Sequence, residues 1–215
     1  MCRNFSIVAM VTLLLCAEGQ AQRAFEGGEF KPYDEIAVVK DTLTEPLERR
    51  VLYFAQFTCP YCRQMHAELR AWSRQLPQPY QFEVVPAVGN KEHIGMAIAY
   101  YVVIQVRPKR LDRFEEELFT ALQDRNMDPT DPRTYEQVAG RIGISSEEFR
   151  HTVRSEETRA FVRRAHLLTE RYTVEEVPTV IVANRFKTGP ARVYHENKSF
   201  VAILNGLISM DHRQR

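Results

Sequence analysis

Arg50-Val-Leu-Tyr-Phe-Ala-Gln-Phe57, followed at once by Thr58-Cys-Pro-Tyr-Cys62, is the stretch from which the fold is read. Its first eight residues form a near-continuous apolar run rich in strand formers, as expected of a central strand buried on both faces. From Pro60 the pattern turns helical and runs to about Leu76, closed by Pro77 and Pro79. Pro60 sits in the first turn, where the missing N–H breaks no hydrogen bond. Tyr80-Gln-Phe-Glu-Val-Val85 alternates as a second strand. Strand, helix, strand is a βαβ unit, with Cys59 at the carboxyl end of its first strand.

Outward from this unit the pattern becomes helical from about Lys91 to Tyr172. Met96, Ile98, Ala99, Val102, Val103 and Val106 belong to one helix, ended by Pro108. Leu111, Phe114, Leu118, Phe119 and Leu122 recur at three- and four-residue steps in the next. Asp131 before Pro132 caps another, and Ser145 with Glu148 forms a capping box. Glu176 to Ala183 returns to strand, with Asn184-Arg185 as its turn and Ala191–Tyr194 as the expected partner strand. Phe200 to Ile208 closes the chain as an amphipathic helix, and residues 22–35 read as an irregular arm or edge strand. The predicted class is α/β: a first part over 22–90, a helical insertion over 91–172 and a second part over 173–215.

Composition supports a globular chain. The 215 residues are 44% hydrophobic and 27% charged, with 9 Gly and 11 Pro, which excludes collagen-like and largely disordered chains. A formal charge of +1 leaves no basic excess for phosphate contacts, so nucleic acid is not an expected partner. Between Arg3 and Glu18 runs an apolar stretch of 12 residues, Phe5–Cys16. A bilayer span needs about 20 residues, so this length suits a signal-peptide core instead. Gly19-Gln20-Ala21 places small residues for cleavage after Ala21, making 1–21 a leader. The mature chain would keep 28 basic and 27 acidic residues and two cysteines, Cys59 and Cys62. In an exporting compartment disulfides persist, yet a pair three residues apart closes almost no loop and constrains the unfolded chain little. A structural staple is a poor account of this pair.

Chemistry accounts for it better. Cysteines at i and i+3 share one face of a helix start. The first, Cys59, lies among free backbone N–H groups at the positive helix end, so it is expected to ionise readily and attack. Cys62, one turn deeper, is the expected resolving thiol. His66 extends the pattern to Cys59-x-x-Cys62-x-x-x-His66, which leaves open a copper or zinc carrier, although His66 is expected to flank the active-site surface. The other histidines, including His93, are expected on the surface or at caps. The basic clusters Arg107–Arg110 and Arg163-Arg164, with Glu115, Glu116 and Glu117 nearby, read as solvated helix faces. Leu69 and Trp72 read as core, and Met65 as a candidate for an exposed apolar patch.

Cys59-Pro60-Tyr61-Cys62 after an apolar strand, a long helical insertion, and Val177-Pro178-Thr179 opening a late strand together resemble the DsbA-type thiol–disulfide oxidoreductases. Glutaredoxins share Cys-Pro-Tyr-Cys, but they lack an insertion of the kind found between Cys59 and Pro178. The resemblance implies a thioredoxin-like fold with a helical insertion, Cys59 as nucleophile and Cys62 as resolving cysteine. It implies a cis-proline at Pro178, with Pro60, Tyr61, Val177 and Thr179 completing the substrate surface. It further implies a periplasmic monomer with no cofactor that introduces disulfides into cysteine-containing proteins and is reoxidised by a quinone-linked membrane partner. Reduction or isomerisation by the same pair, a metallochaperone using Cys59, Cys62 and His66, and a chaperone with incidental cysteines are the alternatives. Two departures stand out. The family's namesake carries histidine at the position of Tyr61, and a neutral Tyr there predicts a milder oxidant. Tyr53 stands where the family often has a buried acid, so the usual proton acceptor for Cys62 is absent, leaving water or another group to serve.

Overall fold

The computed structural model describes residues 31–37, 46–192 and 199–214; the expected leader, 1–21, lies outside them. Five strands, β1 (Asp34–Glu35), β2 (Arg50–Ala55), β3 (Gln81–Pro86), β4 (Thr179–Val182) and β5 (Phe186–Thr188), form one sheet in the order β1-β5-β4-β2-β3. β2 runs parallel to β3, with Arg50 opposite Gln81 and Ala55 opposite Pro86. On its other side β2 runs antiparallel to β4, with Tyr53 opposite Val180. The apolar run at 50–57 therefore occupies an interior strand, and Val51 to Ala55 are all buried. The short edge β1 pairs antiparallel with β5.

Helix α1 (Pro60–Ser73) makes the crossover between β2 and β3. It buries Cys62, His66, Leu69 and Trp72, a stripe at three- and four-residue steps. Trp72 Nε1 donates to Asn205 Oδ1 at 2.8 Å, tying α1 to the closing helix α7 (Phe200–Arg213). α1 stops three residues short of Leu76, in a turn that leads to a cis Gln78–Pro79 bond. Met65 is half-buried against the core, so it forms no exposed patch.

Between β3 and β4 lie α2 (Ile94–Val106), α3 (Leu111–Phe119), α4 (Pro132–Arg141), α5 (Ser146–Val153) and α6 (Glu156–Arg171). α2 is apolar on nearly every side and buries Met96, Ala97, Ala99, Tyr100, Tyr101, Val102 and Val103. It is the axis against which α3, α4, α5 and α6 pack. The capping residues hold as expected: Asp131 accepts from Arg133 N–H at 2.9 Å and Ser145 from Glu148 N–H at 3.2 Å.

Three expectations are corrected here. The partner of β4 is Phe186–Thr188, not Ala191–Tyr194; residues 190–192 form a 3-10 turn, and 193–194 lie outside the described residues. Ala183 and Asn184 take φ of +55° and +57°, so the chain reverses within the three residues 183–185 and Phe186 pairs with Val182. Arg164 is no solvated residue: its Nη1 lies 2.5 Å from Glu83 Oε1, pinning α6 to β3. Glu115 is fully buried, for the reason developed below.

Candidate active site

The end of β2 and the start of α1 build the site. β2 delivers the chain to Cys59, whose extended backbone (φ −84°, ψ 118°) makes it the N-cap of α1, with Pro60 in the first turn. Its sulfur therefore stands where a capping oxygen would and accepts from Cys62 N–H at 3.4 Å. Cys62 lies one turn on and is buried, while Tyr61 between them is 57% exposed. Both cysteines are free thiols.

These surroundings split the two thiols. The Cys62 thiol, hydrogen-bonded to Cys59 Sγ, together with the N–H groups of Cys62 and Tyr61, pulls Cys59 down to about 6 against the opposing effect of partial burial. Cys62, which gives that hydrogen bond and is buried, is pushed far above the ordinary thiol range. One sulfur is thus ionised at neutral pH and the other holds its proton.

The Val177–Pro178 bond is cis, as the resemblance implies, and the Val177 carbonyl oxygen lies 3.5 Å from Cys59 Sγ. Pro178 is buried, and Thr179 donates to the Glu176 carbonyl at 2.8 Å, closing the loop before β4. Gly189 is required beside it, because a Cβ there would lie 2.9 Å from the Pro178 carbonyl oxygen. Cys59, Pro60, Tyr61, Cys62 and the 177–179 loop therefore meet at one place, although the loop is more than a hundred residues away in sequence.

Residues 63–198, starting directly after the cysteine pair, match the DSBA-like thioredoxin domain family. The chain belongs to that family. With it, the chain belongs to the thiol–disulfide oxidoreductases. Among curated relatives, the thiol:disulfide interchange protein DsbA of Burkholderia cepacia is 22% identical over 141 residues, a stretch covering 66% of each chain. Solved structures share the fold at lower identity. The oxidoreductase NmDsbA1 of N. meningitidis superposes with a TM-score of 0.70 at 18% identity, covering 86% of this chain and 93% of its own. DsbA of Xylella fastidiosa gives 0.70 at 19%, covering 88% and 98%.

Within this DSBA-like frame the site holds residues the sequence reading passed over. Gln123, in a π-helical turn (Thr120–Asp124) that extends α3, donates to the carbonyls of Phe57 and Cys59 at 2.9 and 3.1 Å. It clamps the junction from the insertion side. Its signal in sequence is nil, since a lone Gln in a polar stretch carries no pattern. His93 reaches Gln56 Nε2 at 3.0 Å, at the strand end beside the cysteines.

His66 is buried at 7% exposure, not on the active-site surface. Its Nε2 lies 3.0 Å from Glu115 Oε2, which also accepts from Arg70 Nε at 2.9 Å. A second guanidinium nitrogen of Arg70 bonds the other oxygen of Glu115. That pairing is what lets a carboxylate from α3 sit without solvent exposure. With His66 engaged in this way, no three His, Cys, Asp or Glu residues among the described ones gather as a metal site. Tyr53 has no exposure and donates to the Cys62 carbonyl at 3.1 Å. Burial holds the phenol well above its usual range, so it remains a donor.

Proposed function

We propose that this chain is an exported oxidant that introduces disulfide bonds into cysteine-containing proteins, with Cys59 as the attacked and attacking sulfur and Cys62 as its resolving partner. The observation that carries the reading is the split between the two thiols: a helix-capping sulfur pulled down to about 6, beside a buried neighbour that keeps its proton. In the oxidised pair, a substrate thiolate attacks Cys59 Sγ. The Cys59–Cys62 bond breaks, Cys62 leaves with the electron pair and is protonated, and a mixed disulfide remains on Cys59. A second substrate thiolate then attacks the substrate sulfur of that bond. The product disulfide forms and Cys59 leaves as the stable thiolate. Cys59 is the better leaving group because its thiolate is held by hydrogen bonds, which favours passing a disulfide outward.

The surface around the sulfur supports a peptide partner. Tyr61 is exposed beside it, Pro60 directly follows Cys59, and the Val177 carbonyl lies 3.5 Å from the sulfur at the head of the cis loop that continues into the buried Pro178 and Thr179. A backbone segment there can pair with an extended substrate strand. Reoxidation by a quinone-linked membrane protein, a periplasmic location and a monomeric state complete the proposal, in keeping with the family's bacterial relatives. Tyr61 supplies no positive charge beside Cys59, which argues for a milder oxidant than the histidine-bearing namesake.

The test is a redox titration of the pair against glutathione, together with a client assay. The oxidised protein should convert a reduced, unfolded client to its disulfide form, and Cys62→Ala should accumulate a client-linked mixed disulfide at Cys59. A couple as reducing as a thioredoxin, about −270 mV, with no oxidation of the client, would move the assignment to disulfide reduction.

A further inference from the structure

The redox cycle makes Cys62 lose and regain a proton in a buried place, and the strand position beneath it offers a phenol in place of an acid. The nearest buried carboxylate comes from the insertion instead. Resting on the reading of Cys62 as the resolving thiol, we propose that His66, held in one tautomer by Glu115, is the group that takes and returns the Cys62 proton.

Three observations converge. Glu115 receives two nitrogens of Arg70, which keeps it a carboxylate, and a carboxylate only accepts. The hydrogen on the 3.0 Å bond must therefore sit on His66 Nε2, so Nδ1 presents a lone pair. That Nδ1 is buried and has no hydrogen-bond partner, an arrangement that a purely structural histidine would be expected to avoid. Finally, His66 is one helical turn beyond Cys62 on the same buried face. Tyr53 lies beside both: its hydroxyl donates to the Cys62 main-chain carbonyl at 3.1 Å and its ring centroid is 6.4 Å from the imidazole. Phe57 and Phe119, with centroids at 6.4 and 5.2 Å, wall the ring off.

The charged and titratable groups facing this point are Cys62 and Arg70 from α1, Tyr53 from β2, Glu115 and the more exposed Asp112 and Glu116 from α3, and the buried Tyr100 from α2. Arg63 and Arg74 line the open side of the groove against α3. A proton arriving on Nδ1 makes an imidazolium that the adjacent carboxylate stabilises. When Cys62 resolves a mixed disulfide, its S–H proton passes to Nδ1 and its sulfur bonds Cys59. The Cys59–substrate bond breaks, and the substrate sulfur leaves as a thiolate with the electron pair. In the opposite direction, Cys62 leaves with the pair and takes the proton back.

The test follows release of a fluorescent peptide from a preformed mixed disulfide at Cys59. Release by the wild-type chain should show an inflection with pH. His66→Gln, which keeps a donor to Glu115, should abolish the inflection and slow release by at least about tenfold above it. Glu115→Gln should move the inflection to lower pH. An unchanged profile in His66→Gln, or no inflection in the wild type, overturns the proposal. Should either variant fail to fold, nitrogen NMR of the wild-type imidazole decides: a titration midpoint that differs between dithiol and disulfide forms supports it, and an identical midpoint overturns it. A wild-type chain that forms no mixed disulfide at Cys59 would instead count against the functional reading beneath.

Discussion

Cys62→Ala deletes the hydrogen bond that contributes most to keeping Cys59 ionised, and the consequence can be worked out quantitatively. With Cys59 held at about 6, roughly a tenth of it is thiolate at pH 5. If the sulfur returned to an ordinary value near 8.5, that fraction would fall by about 300-fold. A more basic thiolate is the better nucleophile, and a Brønsted slope of about 0.4–0.5 gives back some ten- to eighteenfold. The net expectation at pH 5 is a loss of about 20-fold in reaction with a small disulfide probe. The N–H groups of Cys62 and Tyr61 remain in the variant, so this figure is the upper bound. Above about pH 9, where both proteins are ionised, the order reverses and the variant reacts faster. Stopped-flow rates across this range, beside the ultraviolet absorbance of the thiolate, measure both limbs. Equal rates at pH 5, or curves that never cross, would refute the account in which Cys62 ionises its neighbour.

Other expectations follow from the same geometry. Cys59 is depressed in the folded dithiol form, so the unfolded chain binds more protons between about pH 6 and 8.5. The stability that Cys59 contributes should be fully present above about 8.5 and be lost as pH falls through 6. Discounted for partial exposure, this amounts to about 1–2 kcal/mol, read as a rising denaturation midpoint that Cys59→Ser lacks. Gln123→Ala removes two donors to the Phe57 and Cys59 carbonyls and should lower stability by about 1–3 kcal/mol, with faster amide exchange in the first turn of α1. Gly189→Ala drives a methyl group against the Pro178 carbonyl and should cost about 1–3 kcal/mol, measured by chemical denaturation. Phe57→Ala empties a fully buried site and should cost about 3–5 kcal/mol in the same assay.

Much of the site was legible because the chemistry is local. Cys59 and Cys62 are fixed relative to each other by one helical turn, and Pro60 follows from the needs of a first turn. The cis bond at Pro178 was legible through a resemblance between motifs rather than through spacing. Glu115 shows the opposite case. In a run of three glutamates it reads as a solvated face, and it is buried because Arg70 and His66, more than forty residues earlier, converge on it. Arg164 is drawn in by Glu83 in the same way.

Alone, the sequence determined the βαβ start, the helical character of 91–172 and the placing of Cys59 and Cys62 on one face of a helix start, since each rests on periodicity or on contacts within one turn. Tertiary structure decided which hairpin partner β4 takes, that Gln123 clamps the strand–helix junction, and that an acid from the insertion ends up beside the histidine behind Cys62. Those outcomes depend on side chains far apart in the chain meeting where water is excluded. No local pattern encodes which of several equivalent glutamates or glutamines will be the one to arrive.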